Sequence, residues 1–211
     1  MFIDELFTNP ESFCVKVLMV VFSICCHEFS HAWVALKQGD STAADAGHLT
    51  LSPFKQMGII SLVMLAVIGI AWGRVPVNPQ RMKHRYSEAL VAFAGPAMNL
   101  ILFFAFCLLA AISALLHVES AAVSLLVFGA MLNMVLFLLN LLPIPTLDGF
   151  AISRCIFPKF RLEKSELMKG MIVITFIMIL MFARYFFMAG LFAAKFMTGV
   201  FIFLLNATGM F

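Results

Sequence analysis

Long apolar runs constrain this chain more than any other feature of its sequence. Residues 13–36, 88–116 and 121–142 are each apolar over the length of a membrane span. From Leu167 onward the chain is apolar almost without a break, enough for one or two spans more. A helix needs roughly 20 mostly apolar residues to cross a bilayer core. Only helices and closed barrels satisfy their backbone groups there. Composition agrees: 63% of the residues are hydrophobic and 12% charged, against about 45–50% apolar and about 25% charged in soluble domains. So few charges cannot cover a water-soluble surface, which excludes a soluble enzyme and a disordered chain. A net charge of +3 is too small to suggest a nucleic-acid partner. The expectation is an all-α multi-pass protein in a lipid bilayer, one integral membrane domain over residues 1–211 with no appended soluble domain.

The polar connections are few. Residues 47–53, Gly-His-Leu-Thr-Leu-Ser-Pro, alternate in polarity and end on a proline, which reads as a strand. Val75-Pro76-Val77-Asn78-Pro79 reads as a second short extended piece, because a proline biases the residue before it toward extended geometry. A small membrane-associated β segment is therefore expected beside the helices. Between these pieces, Met57 to Trp72 is apolar but short for a span. The N-terminus, with Asp4, Glu5 and Glu11, lacks the basic start of a signal peptide. The five cysteines show no CxxC spacing and read as small buried hydrophobes.

Chemistry concentrates in His27-Glu28-Phe29-Ser30-His31, an HExxH pattern inside the first apolar run. Residues four apart share a helix face, so both imidazoles can bind one metal ion. Glu28, next to the first ligand, is placed to act as general base on water. Three ionisable groups so close together are costly in hydrocarbon, and such groups mark functional sites. A catalytic zinc site usually takes a third protein ligand. The candidates are His48, Glu88, His117, Glu119 and Asp148. Asp148 follows Asn140-Leu-Leu-Pro143-Ile-Pro145, where two prolines end a span, and precedes Gly149. Irregular backbone at membrane depth survives only where it lines a protein or water cavity. Asn99, in the small-residue run Gly95-Pro96-Ala97-Met98-Asn99, and Asn140 are amides in apolar segments that need partners. Either can orient a substrate backbone or bond to another helix.

Together these residues resemble the site-2 protease family of intramembrane zinc metalloproteases, and most of all its small bacterial members without a PDZ or CBS domain. His27-Glu28-x-x-His31 matches the family's first motif, Gly95-x-x-x-Asn99 its second, and Asn140-x-x-Pro143 leading to Asp148-Gly149 its third. The segments around Leu49 and from Trp72 to Pro79 are similar too, so the likeness runs from about residue 23 to residue 150. Relatives often carry a basic residue and an asparagine at His48 and Ser52, and Asp-Pro at Met57-Gly58. This chain departs from them in that loop.

The resemblance implies one zinc ion held by His27, His31 and Asp148, with Glu28 as the catalytic glutamate. It implies proteolysis of membrane-spanning protein substrates by a catalytic core over about residues 13–150, followed by C-terminal spans over about 167–206. A substrate helix must unwind before attack, because its carbonyls are tied in helical bonds. The segments around Leu49 and Val77 could hold the unwound stretch by edge pairing. Two rival readings are a zinc transporter and a homologue that binds membrane segments without cutting them. For the ligands to meet, the first and third spans must run in parallel, which makes Met57–Trp72 re-entrant. The basic residues at 81–85 and 154–164 then fall on one side, the cytoplasmic one. That places the zinc nearer the cytoplasmic face of a bacterial inner membrane, with the acidic N-terminus outside.

Overall fold

The computed structural model describes residues 4–157 and 166–209. Helix α1 (Asp4–Thr8) leads into α2 (Pro10–Lys37) through Asn9, whose side chain accepts from the Ser12 amide, with Pro10 in the first turn. These are ordinary start signals for a helix. Lys16, a charge within an apolar helix, is held by Glu5 at 2.5 Å. Three short helices follow: α3 (Thr42–Asp45), α4 (Pro53–Gln56) and α5 (Gly58–Ile68). A 3-10 turn at Pro79–Arg81 then precedes the long helices α6 (Ser87–Leu115) and α7 (Ser120–Asn140). After a proline-containing loop come α8 (Asp148–Ile156) and α9 (Glu166–Ala207). Helices α2, α6 and α7 and the Met181–Ala207 part of α9 are long and apolar enough to cross a membrane. This is a multi-pass membrane protein. Where the sequence left room for one or two C-terminal spans, α9 is one continuous helix.

Helix α6 is central and packs against α2, α7, α8 and α9. His31 meets Val91 and His27 meets Asn99, so α2 and α6 run antiparallel. Ser23 meets Asn133 near the middle of α7, while His27 meets Asp148 beyond the end of α7, so α2 and α7 run parallel.

The expected β segment is not found: the described residues contain no strand. In residues 47–53, the Gln56 side chain donates to the carbonyls of His48 (2.8 Å) and Thr50 (2.6 Å), and the Ser52 amide donates to the Thr50 hydroxyl. One amide side chain does the work a neighbouring strand would do. The alternation therefore belongs to a turn folded around its own polar groups. Residues 75–79 form no ladder either. Pro76 and Pro79 lack an N–H, and the Asn78 amide donates to the Asp40 carboxylate at 2.6 Å.

Helix α5 has 11 residues, about half the length that spans a bilayer. It ends at Gly69, where φ is +77° and only glycine is at ease. The chain then doubles back. Trp72 exchanges two hydrogen bonds with the Ser61 hydroxyl, and the Arg74 amide donates to the Gln56 carbonyl. The segment thus leaves and returns at one end. The Lys83 amide donates to the Gln38 carbonyl at that same end, just past α2. Of the expected basic residues, Lys159, Arg161 and Lys164 lie outside the described residues.

Candidate metal centre

His27 and His31 stand one turn apart on α2, with their Nε2 atoms 3.0 Å from each other. Asp148, the first residue of α8, places Oδ2 3.1 Å from His27 Nε2 and 3.4 Å from His31 Nε2. Each ring is held from behind. His27 Nδ1 lies 2.6 Å from Asn99 Oδ1, and His31 Nδ1 lies 2.7 Å from the Val91 carbonyl oxygen. A carbonyl only accepts, so His31 carries its proton on Nδ1 and turns a lone pair on Nε2 toward Asp148.

Asp148 Oδ2 is buried and receives no hydrogen bond. Acceptor atoms facing one another out of water are costly unless a cation sits among them. Two imidazole nitrogens and a carboxylate oxygen are a fitting donor set for a zinc ion. Among the described residues His27, His31 and Asp148 form such a cluster. The backbone leaves room for it. A Cβ at Gly95 would overlap the Nε2 atoms of both histidines, so α6 can approach this closely only with glycine there. Likewise a Cβ at Gly149 would run into the carbonyls of Leu141 and Leu142, where the loop turns from α7 into α8. In that loop Thr146 has φ +88°, a strained value for a β-branched residue.

Glu28 is 8% exposed and lines a cavity of about 610 Å³ together with both histidines, Val77, Asn140 and Asp148. A Cβ at Gly73 would overlap the Glu28 side chain, so the segment returning from α5 closes directly over the carboxylate.

The other candidate ligands stand apart from the cluster. His48 lies against Gln56 at 3.4 Å, and His117 and Glu119 are exposed at the α6–α7 connection. Glu88 borders the cavity but pairs with Arg154. Asn140 lines the cavity while its amide nitrogen donates to the Leu136 carbonyl. Asn99 is fully buried behind His27 and donates to Asn133 Oδ1 at 3.0 Å. Three participants were not singled out from the sequence as site residues: the Val91 carbonyl, Gly73 and Asn133. A backbone carbonyl leaves no trace in a sequence. Asn133 does leave one, as an amide inside an apolar run.

Peptidase family M50 matches the chain over residues 112–183, a stretch that contains Asp148 but neither His27 nor His31. The chain is 41% identical over 150 residues to a Bacillus subtilis protein named "Putative zinc metalloprotease YwhC", covering 67% of this chain and 68% of that one. It is 34% identical to the Mycolicibacterium smegmatis protein named "Putative zinc metalloprotease Rip2", covering 67% of this chain and 58% of the relative. With the Mycobacterium tuberculosis protein of the same name it is 38% identical, over 61% of this chain and 52% of the other. The chain thus spans a little over half the length of these two. No solved structure matches it.

Proposed function

The chain belongs to peptidase family M50, the site-2 protease family of intramembrane zinc metalloproteases, and on that premise we propose which of its residues cut the substrate. His27, His31 and Asp148 hold one zinc ion, and Glu28 is the general base. Zinc bound there supplies Lewis-acid polarisation of a carbonyl and makes nearby water more acidic. Glu28 takes the proton from the attacking water and then delivers it to the leaving amine, as a buried carboxylate facing the cavity can. The substrate is a transmembrane segment of another protein, unwound where it is cut, since helical carbonyls are already engaged. Residues 71–79 border the cavity and form no ladder of their own, so they can pair with the unwound stretch. The single integral domain over residues 1–211 has its catalytic part over about residues 13–150.

The observation that carries this reading is the three-acceptor cluster, with Asp148 Oδ2 buried and unsatisfied. A transport route would need further liganding groups along the spans, and His27, His31 and Asp148 are the one such cluster among the described residues. Purified protein in detergent should contain one zinc ion and cleave a transmembrane substrate. Asp148→Ala should lose the metal, whereas His48→Ala and His117→Ala should keep it. Loss of zinc in His48→Ala would overturn the ligand set.

The zinc lies nearer the cytoplasmic face of a bacterial cell membrane, with the N-terminus outside. Supporting this, Arg81, Lys83 and Arg85 follow the segment that returns beside the C-terminal end of α2. Cysteines placed at Asp4 and Ser52 test the orientation on intact cells. Label should reach position 4 from outside and not position 52.

A further inference from the structure

Behind His27 runs a closed chain of buried amides. Asn99 on α6 presents Oδ1 to His27 Nδ1 at 2.6 Å and donates from Nδ2 to Asn133 Oδ1 on α7 at 3.0 Å. Asn133 Nδ2 donates to the Gly129 carbonyl at 2.9 Å and to the Ser23 hydroxyl at 3.0 Å. Ser23 lies one turn before His27, so the chain leaves α2 and returns to it after crossing α6 and α7. Ser23, Asn99 and Asn133 are all 0% exposed.

The direction of this chain is set at its far end. The Gly129 carbonyl can only accept, so the nitrogen of the Asn133 amide must face it. That leaves Asn133 Oδ1 for Asn99, which must answer with its own nitrogen. Asn99 Oδ1 is then left facing His27, which must donate from Nδ1. A backbone carbonyl on α7 thus dictates the tautomer of a side chain on α2. We propose that Asn133 is a positioning residue which, through Asn99, fixes His27 as the Nδ1-protonated tautomer and keeps its Nε2 lone pair for zinc. The proposal rests on the reading of His27 as a zinc ligand. Outer partners that fix a ligating imidazole typically cost about 10–100-fold in metal affinity when removed.

The test uses the full chain in detergent. Nitrogen-15 shifts of the His27 ring are read in metal-free protein, assigned by their loss in His27→Gln, and zinc affinity is read by competition with a chromogenic chelator. Asn133→Leu frees the Asn99 amide to turn its nitrogen toward His27. It should admit the Nε2-protonated tautomer and weaken zinc binding by roughly 10–100-fold. Asn133→Asp still accepts from Asn99, so its tautomer and affinity should stay near wild type. A role in packing alone predicts the reverse order, because leucine suits an apolar helix and a buried charge does not. That reverse order overturns the proposal, as does an unchanged tautomer in Asn133→Leu. Should Asn133→Asp fail to fold, Asn99→Asp and Asn99→Leu make the same contrast, since only the aspartate keeps an acceptor on Nδ1. The tautomer is read without metal. A wild type that binds no zinc would therefore sink the metal reading while leaving the relay separately tested.

Discussion

Helices α6 and α7 face two neighbours and hold them by opposite means. Toward α2 the seam is polar, with Ser23, His27, Asn99 and Asn133 linked in one hydrogen-bonded chain. Toward α9 it is largely apolar and built from small side chains, Cys107, Ala130 and Ala194, with Phe103 beside them, and is crossed by a weak bond from the Cys107 thiol to the Ala194 carbonyl at 3.7 Å. In lipid no hydrophobic force drives helices together, so packing and hydrogen bonds must do it. The apolar seam requires only close approach and tolerates small slips along the helix. The polar seam has donors and acceptors at fixed heights and tolerates none. His27, a proposed zinc ligand, sits on the seam that fixes axial register.

Glycine substitutions in the two seams should separate these roles most sharply. Gly95→Ala puts a methyl group on both Nε2 atoms. It is expected to abolish zinc binding and hydrolysis together, read by metal analysis and cleavage assay. Full zinc occupancy in Gly95→Ala would break the claim that α6 frames the metal. Next in size, Glu28→Gln should keep its zinc and lose hydrolysis by roughly 10²–10⁴-fold, since only the proton acceptor is gone. Unchanged turnover would remove Glu28 from the chemistry. In the apolar seam, a Cβ at Gly190 would stand 2.8 Å from Val135 Cγ2 and 3.0 Å from the Met131 carbonyl. Gly190→Ala should cost about 1–3 kcal/mol by overpacking, seen as a lower thermal midpoint, while zinc occupancy and turnover persist. If it costs the metal instead, the two seams are not independent.

The same contrast explains what was legible in the sequence. His27, Glu28 and His31 stood out because helical spacing joins them and hydrocarbon makes them expensive. Asp148 was one of five candidates, marked by the prolines that end the span before it and singled out as a ligand by the resemblance of Asn140-x-x-Pro143 and Asp148-Gly149 to the family's third motif. The spans fell within a few residues of α2, α6 and α7 because each is a long pattern with one dominant force. The misread residues, 47–53, alternate like a strand, yet the carbonyls of His48 and Thr50 bond to the side chain of Gln56, which reaches back from α4, and the amides of Gly47 and His48 bond to α3. Alternation records polarity and not the identity of the partner. The roles of Asn133 and Ser23 were not legible for a related reason. Each is a single polar residue, and its meaning exists only once three helices are docked.

The smallest effect expected lies outside both seams, at the segment closing over Glu28. Asp40, buried just beyond α2, accepts from the Thr42 hydroxyl (2.5 Å), the Thr42 amide (3.0 Å) and the Asn78 amide (2.6 Å). Burial alone raises its pKa. The Thr42 hydroxyl, the two amides and the nearby Arg81 charge outweigh burial and hold the pKa below the ordinary 3.8. A folded pKa below the unfolded one contributes stability that is complete above the unfolded value and lost as pH falls through the folded one. Residues 71–79 should therefore stay anchored at neutral pH and loosen only well into acid, below 3.8. Hydrogen exchange, corrected for the intrinsic rate, should show this loosening there and not in the α6–α7 interior. Asp40→Asn should loosen the same residues at neutral pH and abolish the acid step, since an amide cannot accept all three donors with one oxygen. Identical exchange of residues 71–79 in wild type and Asp40→Asn at both pH values would mean that the cover over Glu28 is held by something other than Asp40.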